Sequence, residues 1–114
     1  MAKDKAKKGT KASSSKASNK TQVEKAPRLA AFQPEFYEDL GYWITMDQTN
    51  ALKILRLVRE SLTTPFTGIG KPEPLKYLAP NTWSRRITDG HRLVYVVFDD
   101  KIEFHQARYH YSDS

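Results

Sequence analysis

Hydrophobic residues in the first half of residues 29–111 recur at the spacing of α-helices. Phe36, Leu40 and Trp43 repeat at i, i+4 and i+7, which predicts one buried helical face. Asp47 predicts the N-cap of a second helix, which should stop at the Thr-Thr-Pro sequence at 63–65. The buried stripe of this second helix is expected at Ala51, Leu55, Val58 and Leu62. Because the two stripes follow each other closely, they predict an antiparallel helical hairpin.

The second half of the chain changes to short apolar runs that predict strands. The runs Trp83–Ile87, His91–Phe98 and Lys101–Tyr111 are separated by Asp-Gly and Asp-Asp pairs, which are typical of tight turns. The middle run is apolar on both faces and is expected to be the central strand. A further short strand is expected at residues 29–33. This order predicts an α+β fold (β-α-α-β-β-β) with both helices on one face of an antiparallel sheet.

Most of the positive charge lies outside this predicted domain. Residues 1–28 carry eight lysines and one arginine against two acidic residues, a net charge of +7. Residues 29–114 carry ten basic and eleven acidic residues, a net charge of −1. Since the first segment has almost no large apolar residues, we expect it to be disordered. It is either a solubilising extension or a polycation that adds salt-sensitive affinity for RNA, and composition does not separate the two.

A smaller basic cluster lies inside the domain. Residues 71–92 contain five basic and two acidic residues, a net charge of +3, which indicates an anionic partner such as nucleic acid. The absence of cysteine excludes disulfides and thiolate metal sites. No apolar run approaches the roughly 20 residues of a membrane span. His105 and His110 would point to opposite faces of a regular strand, so neither a metal nor another cofactor is expected.

The chain also contains the residue types that cleave RNA without a metal. Such cleavage requires a base for the 2′-hydroxyl, cations for the charge at phosphorus and an acid for the leaving 5′-oxygen. Glu73 is a candidate base, and Arg86 and Arg92 are candidate phosphate ligands. His110 is a candidate acid, and nearby tyrosines are candidates for stacking on unpaired bases. Taken singly, each of these residues is more often a solvated or packed residue without a catalytic role.

Four motifs in a fixed order change this interpretation. They are TPFTGIGKPEPLK, WSRRIT, HRLVYVV and ARYHY. Together they closely resemble the YoeB branch of the RelE/ParE-type bacterial toxins, from about residue 29 to residue 111. The resemblance implies a RelE-like toxin domain at 29–111, between the tail at 1–28 and a short extension at 112–114. The tail and the extension, which adds the acidic residue Asp113, lie outside the family pattern.

The resemblance implies a ribosome-dependent endoribonuclease that cleaves messenger RNA in the ribosomal A site, without a metal or other cofactor. Matched motif by motif, Glu73 takes the position of the general base, and Arg86 and Arg92 match cationic positions at the scissile phosphate. His110 takes the position of the general acid, and Tyr111 stacks on and orients a base. Lys76 and Arg86 are implied to contact RNA, and the other basic residues of the cluster, Lys71 and Arg85, are expected to add to RNA binding. The implied products are a cyclic phosphate, or the 3′-phosphate formed by its hydrolysis, and a 5′-hydroxyl.

The resemblance also implies a cognate acidic antitoxin of the YefM type, which orders on binding and complements the basic cluster. Whether the protein forms a homodimer is left open by the sequence. No membrane association is expected, and the implied place of action is the cytoplasm. Two other functions also stay open: an RNA- or ribosome-binding module that has lost catalysis, and a DNA-bound corepressor that acts only with its antitoxin.

The turn at Asp89-Gly90 decides whether two of the candidate cations act together. A two-residue turn would place Arg86 and Arg92 on opposite faces of the sheet, because side chains alternate along a strand. A three-residue loop, with Gly90 in the left-handed conformation as a bulge, would pair them on one face. We predict the second arrangement.

Overall fold

A computed structural model describes residues 27–109, and residues 1–26 and 110–114 lie outside this range. The described elements, in chain order, are β1 (Leu29–Phe32), α1 (Pro34–Met46), α2 (Gln48–Thr63), β2 (Glu73–Pro74), β3 (Thr82–Thr88), β4 (His91–Val97) and β5 (Lys101–Gln106). This order confirms the predicted α+β fold and adds the two-residue strand β2. The predictions for the tail, for His110 and Tyr111 and for the extension concern residues outside the described range.

A single residue ends the first helix and begins the second. The backbone N–H of Asp47 donates to the Trp43 carbonyl at 2.7 Å, which closes the last turn of α1. Its side-chain Oδ1 accepts hydrogen bonds from the backbone N–H groups of Thr49 and Asn50, at 3.1 and 3.4 Å. These bonds satisfy donors that a helix start otherwise leaves free, so the predicted N-cap is confirmed.

The buried stripe of α2 differs from the predicted one. Ala51 and Val58 are buried as expected, but the side chain of Leu55 is 48% exposed. Ile54 and Leu57 are fully buried in its place. Apolar residues lie on two adjacent stripes of this helix, and the position of the sheet decides which stripe is covered.

The five strands form one sheet in the order β1-β5-β4-β3-β2. The central position of β4 is confirmed. Strands β2 to β5 pair antiparallel, as predicted for the later strands, whereas β1, whose pairing was not predicted, pairs with β5 in parallel. The two helices connect β1, at one edge of the sheet, to β2, at the opposite edge. No tight turn joins β1 to β5, so these two strands can pair in parallel.

Both helices cover one face of the sheet, as expected. The core between them contains, among others, Phe36, Trp43, Ile54, Leu57, Leu93, Tyr95 and Phe104. We call the other side of the sheet the open face, because neither helix covers it. Within residues 27–109, no helix is both long enough and apolar enough to cross a membrane.

A bulge in β3 sets the register at the β3–β4 turn. Arg86 pairs directly with Arg92, and Thr88 pairs with His91, so Ile87 is the extra residue. The predicted pairing of the two arginines is therefore confirmed. The predicted cause is wrong, because Gly90 lies in a two-residue turn and does not adopt a positive φ.

A lysine of α2 supports the bulge. The Lys53 ammonium donates a 2.8 Å hydrogen bond to the Ile87 carbonyl. Because a bulge leaves its extra residue outside the regular ladder, a side chain that bonds to this carbonyl stabilises the irregular backbone. The register that puts both arginines on one face thus depends on a contact from the other side of the sheet.

Candidate active site on the open face

The register of three strands brings four polar residues to the open face. Glu73 of β2 pairs with Ser84 of β3, and Arg86 of β3 pairs with Arg92 of β4. Directly paired residues project to the same face, and so do residues two apart in one strand. The four side chains therefore share the face opposite the core residue Leu93.

Glu73 and Arg92 are in direct contact. The Glu73 Oε1 atom lies 3.4 Å from the Arg92 Nη1 atom, which also donates to the Ser84 hydroxyl at 3.3 Å. The Arg92 side chain is only 18% exposed, whereas the Glu73 side chain is 61% exposed. The arginine is thus fixed in the surface of the sheet, and the carboxylate extends from the sheet edge to solvent.

Arg86 lies beside this pair with its guanidinium accessible. Its Nη1 atom is 3.7 Å from Asp89 Oδ1, and its side chain is 41% exposed. Exposed ion pairs contribute little to stability, so this contact leaves the guanidinium available to a ligand. The backbone N–H of Arg86 donates to the Gly70 carbonyl at 2.7 Å, which ties the loop before β2 to β3.

The two candidate lysines flank β2. Lys71 and Lys76 are both exposed, on the segments that enter and leave the strand. The path of the entering segment depends on Gly70, whose φ is +81° and whose added Cβ would lie 2.8 Å from Leu57 Cδ2. Glycine at this position lets the loop pack closely on α2, and Lys71 follows it with a φ of +50°.

Arg85 does not belong to this site. It pairs with Leu93 on the helix-covered face and is fully buried. Its guanidinium donates to the carbonyls of Thr64, Thr67 and Ile69, and its Nε donates to the Tyr95 hydroxyl. The expected RNA contact of Arg85 is therefore wrong, because the alternation of side chains in β3 turns it away from the open face.

The segment after β5 is anchored to α1. The Ala107 N–H donates to Asp39 Oδ2, and the Ala107 carbonyl accepts from Trp43 Nε1, both at 2.8 Å. Burial raises the pKa of the Asp39 carboxyl above its usual value, and the Ala107 bond and the Arg108 charge partly offset that rise. The Arg108 guanidinium lies 3.6 Å from the centre of the Tyr42 ring. No local pattern signals this anchor, because acidic residues such as Asp39 are common in the first half of a helix.

The same segment is held beside the first two residues of β4. The Tyr109 N–H donates to His91 Nδ1 at 2.8 Å, and the Tyr109 carbonyl accepts from the Arg92 N–H at 3.3 Å. The backbone of Tyr109 therefore lies beside that of Arg92. His91 was not among the residues expected at the site, although it directly precedes Arg92 in the HRLVY motif.

The described residues do not assemble a metal site. Among residues 27–109, no group of three or more His, Asp or Glu side chains could hold a metal ion. The His105 Nε2 atom lies 3.2 Å from the Glu103 Oε1 atom, and the other carboxylate oxygen of Glu103 contacts the Lys101 ammonium.

Several known proteins are similar to this chain in sequence and in architecture. Residues 32–111 match the family described as the YoeB-like toxin of bacterial type II toxin-antitoxin systems. The chain is 48% identical over 84 residues to the toxin YoeB of Mycobacterium bovis, and the alignment covers 74% of this chain and 99% of that protein.

Two solved structures from Staphylococcus aureus are similar over the same region. The first, a YoeB dimer, is 38% identical with a TM-score of 0.69, and the match covers 75% of this chain and 100% of that one. The second, a chain of a heterotetrameric YoeB-YefM toxin-antitoxin complex, is 36% identical with a TM-score of 0.63 and the same coverage.

The two-layer α+β architecture is thus the architecture of a class of small bacterial toxins. The chain belongs to the YoeB-like toxin family of type II toxin-antitoxin systems.

Proposed function

We propose that this toxin is an endoribonuclease that cleaves messenger RNA in the A site of the ribosome. The observation that carries the proposal is the contact between Glu73 and Arg92, in which a carboxylate oxygen lies 3.4 Å from a guanidinium nitrogen on the open face. A base and a phosphate ligand at this separation are close enough to act on one nucleotide. Arg86, paired with Arg92 across the strands, adds a second cation at the same place.

In the proposed reaction the ribose 2′-oxygen bonds to the adjacent phosphorus while Glu73 accepts its proton. Arg86 and Arg92 stabilise the negative charge that develops on the phosphorane oxygens. The bond between phosphorus and the 5′-oxygen then breaks, and His110 donates a proton to that oxygen. The products are a 2′,3′-cyclic phosphate and a 5′-hydroxyl. Tyr111 is proposed to stack on and orient a base.

The surroundings of Arg92 favour this role. Its guanidinium is largely buried and is held by the Ser84 hydroxyl and the Glu73 carboxylate. A cation that is already oriented and partly shielded from water stabilises charge in the transition state without reorganising. Lys71 and Lys76 are exposed beside β2 and are proposed to bind phosphates of the flanking nucleotides.

The proposed reaction requires no metal or other cofactor, because protein side chains supply the base, the acid and the cations. Cleavage is therefore expected to continue when EDTA is added under conditions that keep the ribosomes intact. A ribosomal substrate implies that the toxin acts in the cytoplasm.

The partners are proposed from the relatives. Because one similar chain was solved in a YoeB-YefM complex, we propose a YefM-like antitoxin with an acidic segment that covers the basic residues of the open face. Because another was solved as a dimer, we propose that this toxin also forms a homodimer.

Mapping of RNA 5′ ends after brief induction in translating cells tests the proposed function. The wild type should arrest growth and leave new 5′-hydroxyl ends within codons. Glu73→Gln keeps the shape of the side chain but cannot accept the proton, so cleavage should fall by about 100- to 10,000-fold. Glu35→Gln, at an exposed position in the first turn of α1, is the matched control and should cleave like the wild type.

The same experiment separates the other two functions. A binding module without catalysis would show the same RNA ends with the wild type and with Glu73→Gln. A DNA-bound corepressor would give no cleavage by the isolated chain, but would change operator binding together with its antitoxin. Either result would overturn the nuclease proposal.

A further inference from the structure

His91 is a polar residue beside the candidate site that the proposed reaction does not use. It is the first residue of β4, and its ring packs edge-on against Trp43 with the ring centres 5.0 Å apart. Trp43 is itself fixed by its hydrogen bond to the Ala107 carbonyl. The ring also contacts Tyr109, with the centres 5.3 Å apart. These contacts hold the imidazole in one orientation.

The oriented ring accepts a specific hydrogen bond. Its Nδ1 atom lies 2.8 Å from the backbone nitrogen of Tyr109. A ring nitrogen accepts a hydrogen bond only when it carries no proton, so this contact requires Nδ1 to be unprotonated. The next residue, Arg92, donates its own N–H to the Tyr109 carbonyl at 3.3 Å. His91 and Arg92 therefore hold the two backbone polar groups of Tyr109.

Tyr109 needs such support. Its φ is +63°, a conformation that is uncommon for residues other than glycine and costs of order 1 kcal/mol or more. Its side chain is exposed, so burial contributes little to holding it in place. The hydrogen bonds to His91 and Arg92 are the contacts that act directly on this strained backbone.

We propose that His91 is a positioning residue, which fixes the backbone of Tyr109 beside the backbone of Arg92 and so sets the point from which the chain continues to the proposed acid and stacking residue. The inference rests on the proposed function, since the residues that follow are His110 and Tyr111. It assigns His91 no contact with RNA and no proton transfer. Its contribution is the placement of an acid and a stacking ring against a phosphate that Arg92 binds, and an error of about 1 Å in such placement costs roughly 100-fold in rate.

Two amide substitutions separate the hydrogen bond from the rest of the side chain. His91→Asn places a carbonyl oxygen near the position of Nδ1, where it accepts the Tyr109 N–H. His91→Gln carries the same group one carbon farther out, near the position of Nε2. Both variants lose the aromatic contacts, so the difference between them reports the acceptor at Nδ1. His91→Leu, which has no acceptor, is the third variant.

The first measurement is single-turnover cleavage of messenger RNA on programmed ribosomes. His91→Gln and His91→Leu should lose about 10- to 100-fold in the cleavage rate, with little change in the toxin concentration that gives half the maximal rate. His91→Asn should keep most of the wild-type rate. If the Gln variant cleaves as fast as the Asn variant, the positioning role is overturned.

The second measurement is amide hydrogen exchange at Tyr109, read by NMR on the isolated full-length toxin, with urea unfolding of each variant as a check on folding. The Tyr109 amide should be protected in the wild type and in His91→Asn, and should exchange faster in His91→Gln and His91→Leu. Equal protection in all four proteins would overturn the inference even if the rates differ. If the exchange pattern holds but the wild type cleaves no RNA, the proposed function fails and the catalytic part of the inference falls with it.

Discussion

Arg85 and Arg86 are neighbours in β3 but lie on opposite faces of the sheet, and their side chains differ in burial and in hydrogen bonding. Arg85 is fully buried against the helices, and its guanidinium donates to three backbone carbonyls and one hydroxyl. Arg86 points to the open face, is 41% exposed and makes one ion pair at 3.7 Å. A buried charge must have its hydrogen bonds satisfied, whereas an exposed one keeps its solvent and stays available to a ligand.

The buried arginine also serves the exposed site, although it does not touch it. The carbonyls that Arg85 binds belong to the segment between α2 and β2. That segment leads through Gly70, which bonds to β3, directly to Glu73. Arg85 thus fixes the loop that precedes the proposed base Glu73, whereas Arg86 is proposed to bind the phosphate.

The largest expected effect comes from Arg85→Met, which removes the guanidinium but keeps a long apolar side chain. The part-buried carbonyls of Thr64, Thr67 and Ile69 lose their donor, and the bond to the buried Tyr95 hydroxyl is lost as well. A fully buried group left unpaired costs about 1–3 kcal/mol, and a part-buried one costs less because water can replace its partner. We expect a loss of roughly 4 kcal/mol in the free energy of unfolding, measured by urea denaturation.

Arg86→Met is the matched control for this substitution. It should change the free energy of unfolding by no more than about 0.5 kcal/mol, because its ion pair is exposed. It should nevertheless lower cleavage on the ribosome by about 10- to 100-fold. Equal stabilities of the two variants would contradict the assignment of Arg85 to the core.

A second comparison sets the buried carboxyl of Asp39 against the exposed one of Glu73. Asp39→Ala leaves the Ala107 N–H without its acceptor and should cost about 1–3 kcal/mol of unfolding free energy. Asp39→Asn keeps an acceptor oxygen and should cost less. Glu73→Gln should leave stability almost unchanged, because that side chain lies mostly in solvent.

The pH dependence of Asp39 has a definite sign. Burial raises its pKa above the usual value of 3.8, so the native state holds this proton more tightly than the unfolded state. The resulting stabilisation is complete below the unfolded pKa and is lost as pH rises through the raised native pKa. Urea titrations between pH 3 and 7 should therefore show the wild type losing stability relative to Asp39→Asn as pH increases. The opposite trend would mean that Arg108 and the Ala107 bond outweigh burial.

The smallest expected effect concerns the bulge that pairs the two open-face arginines. Lys53→Met removes the hydrogen bond to the Ile87 carbonyl and should cost about 1 kcal/mol of unfolding free energy. Cleavage should fall by more than this stability loss explains, because the register of Arg86 and Arg92 becomes less well defined. Arg56→Met, at an exposed position of the same helix, should change neither quantity. If Lys53→Met cleaves at the wild-type rate, the bulge does not need this support.

Much of the fold could be predicted because its signals are local. The cap at Asp47, the stripe of Phe36 and Trp43 on α1 and the apolar run of β4 all depend on residues close together in sequence, and the structure confirms them. The pairing of Arg86 with Arg92 was also predicted, although the irregularity lies at Ile87 and not at Gly90.

The wrong predictions share a different cause. The exposure of Leu55 and the burial of Arg85 each depend on which element lies opposite, and residues far apart in sequence decide that. The parallel pairing of β1, which was not predicted, depends on contacts of the same kind. The Asp39 anchor is of the same kind, since it joins residues 39 and 107.

The sequence by itself determined the class of fold, the family and the residue types available for chemistry, because periodicity, capping and motif order are properties of neighbouring positions. Only the tertiary structure decided which arginine lies in the core and which lies on the open face, and that Asp39 and His91 hold residues 107–109 against α1 and β4. The physical reason is that burial and hydrogen-bond partners are set by the packing of helices on a sheet, and a linear pattern of charges does not contain that packing.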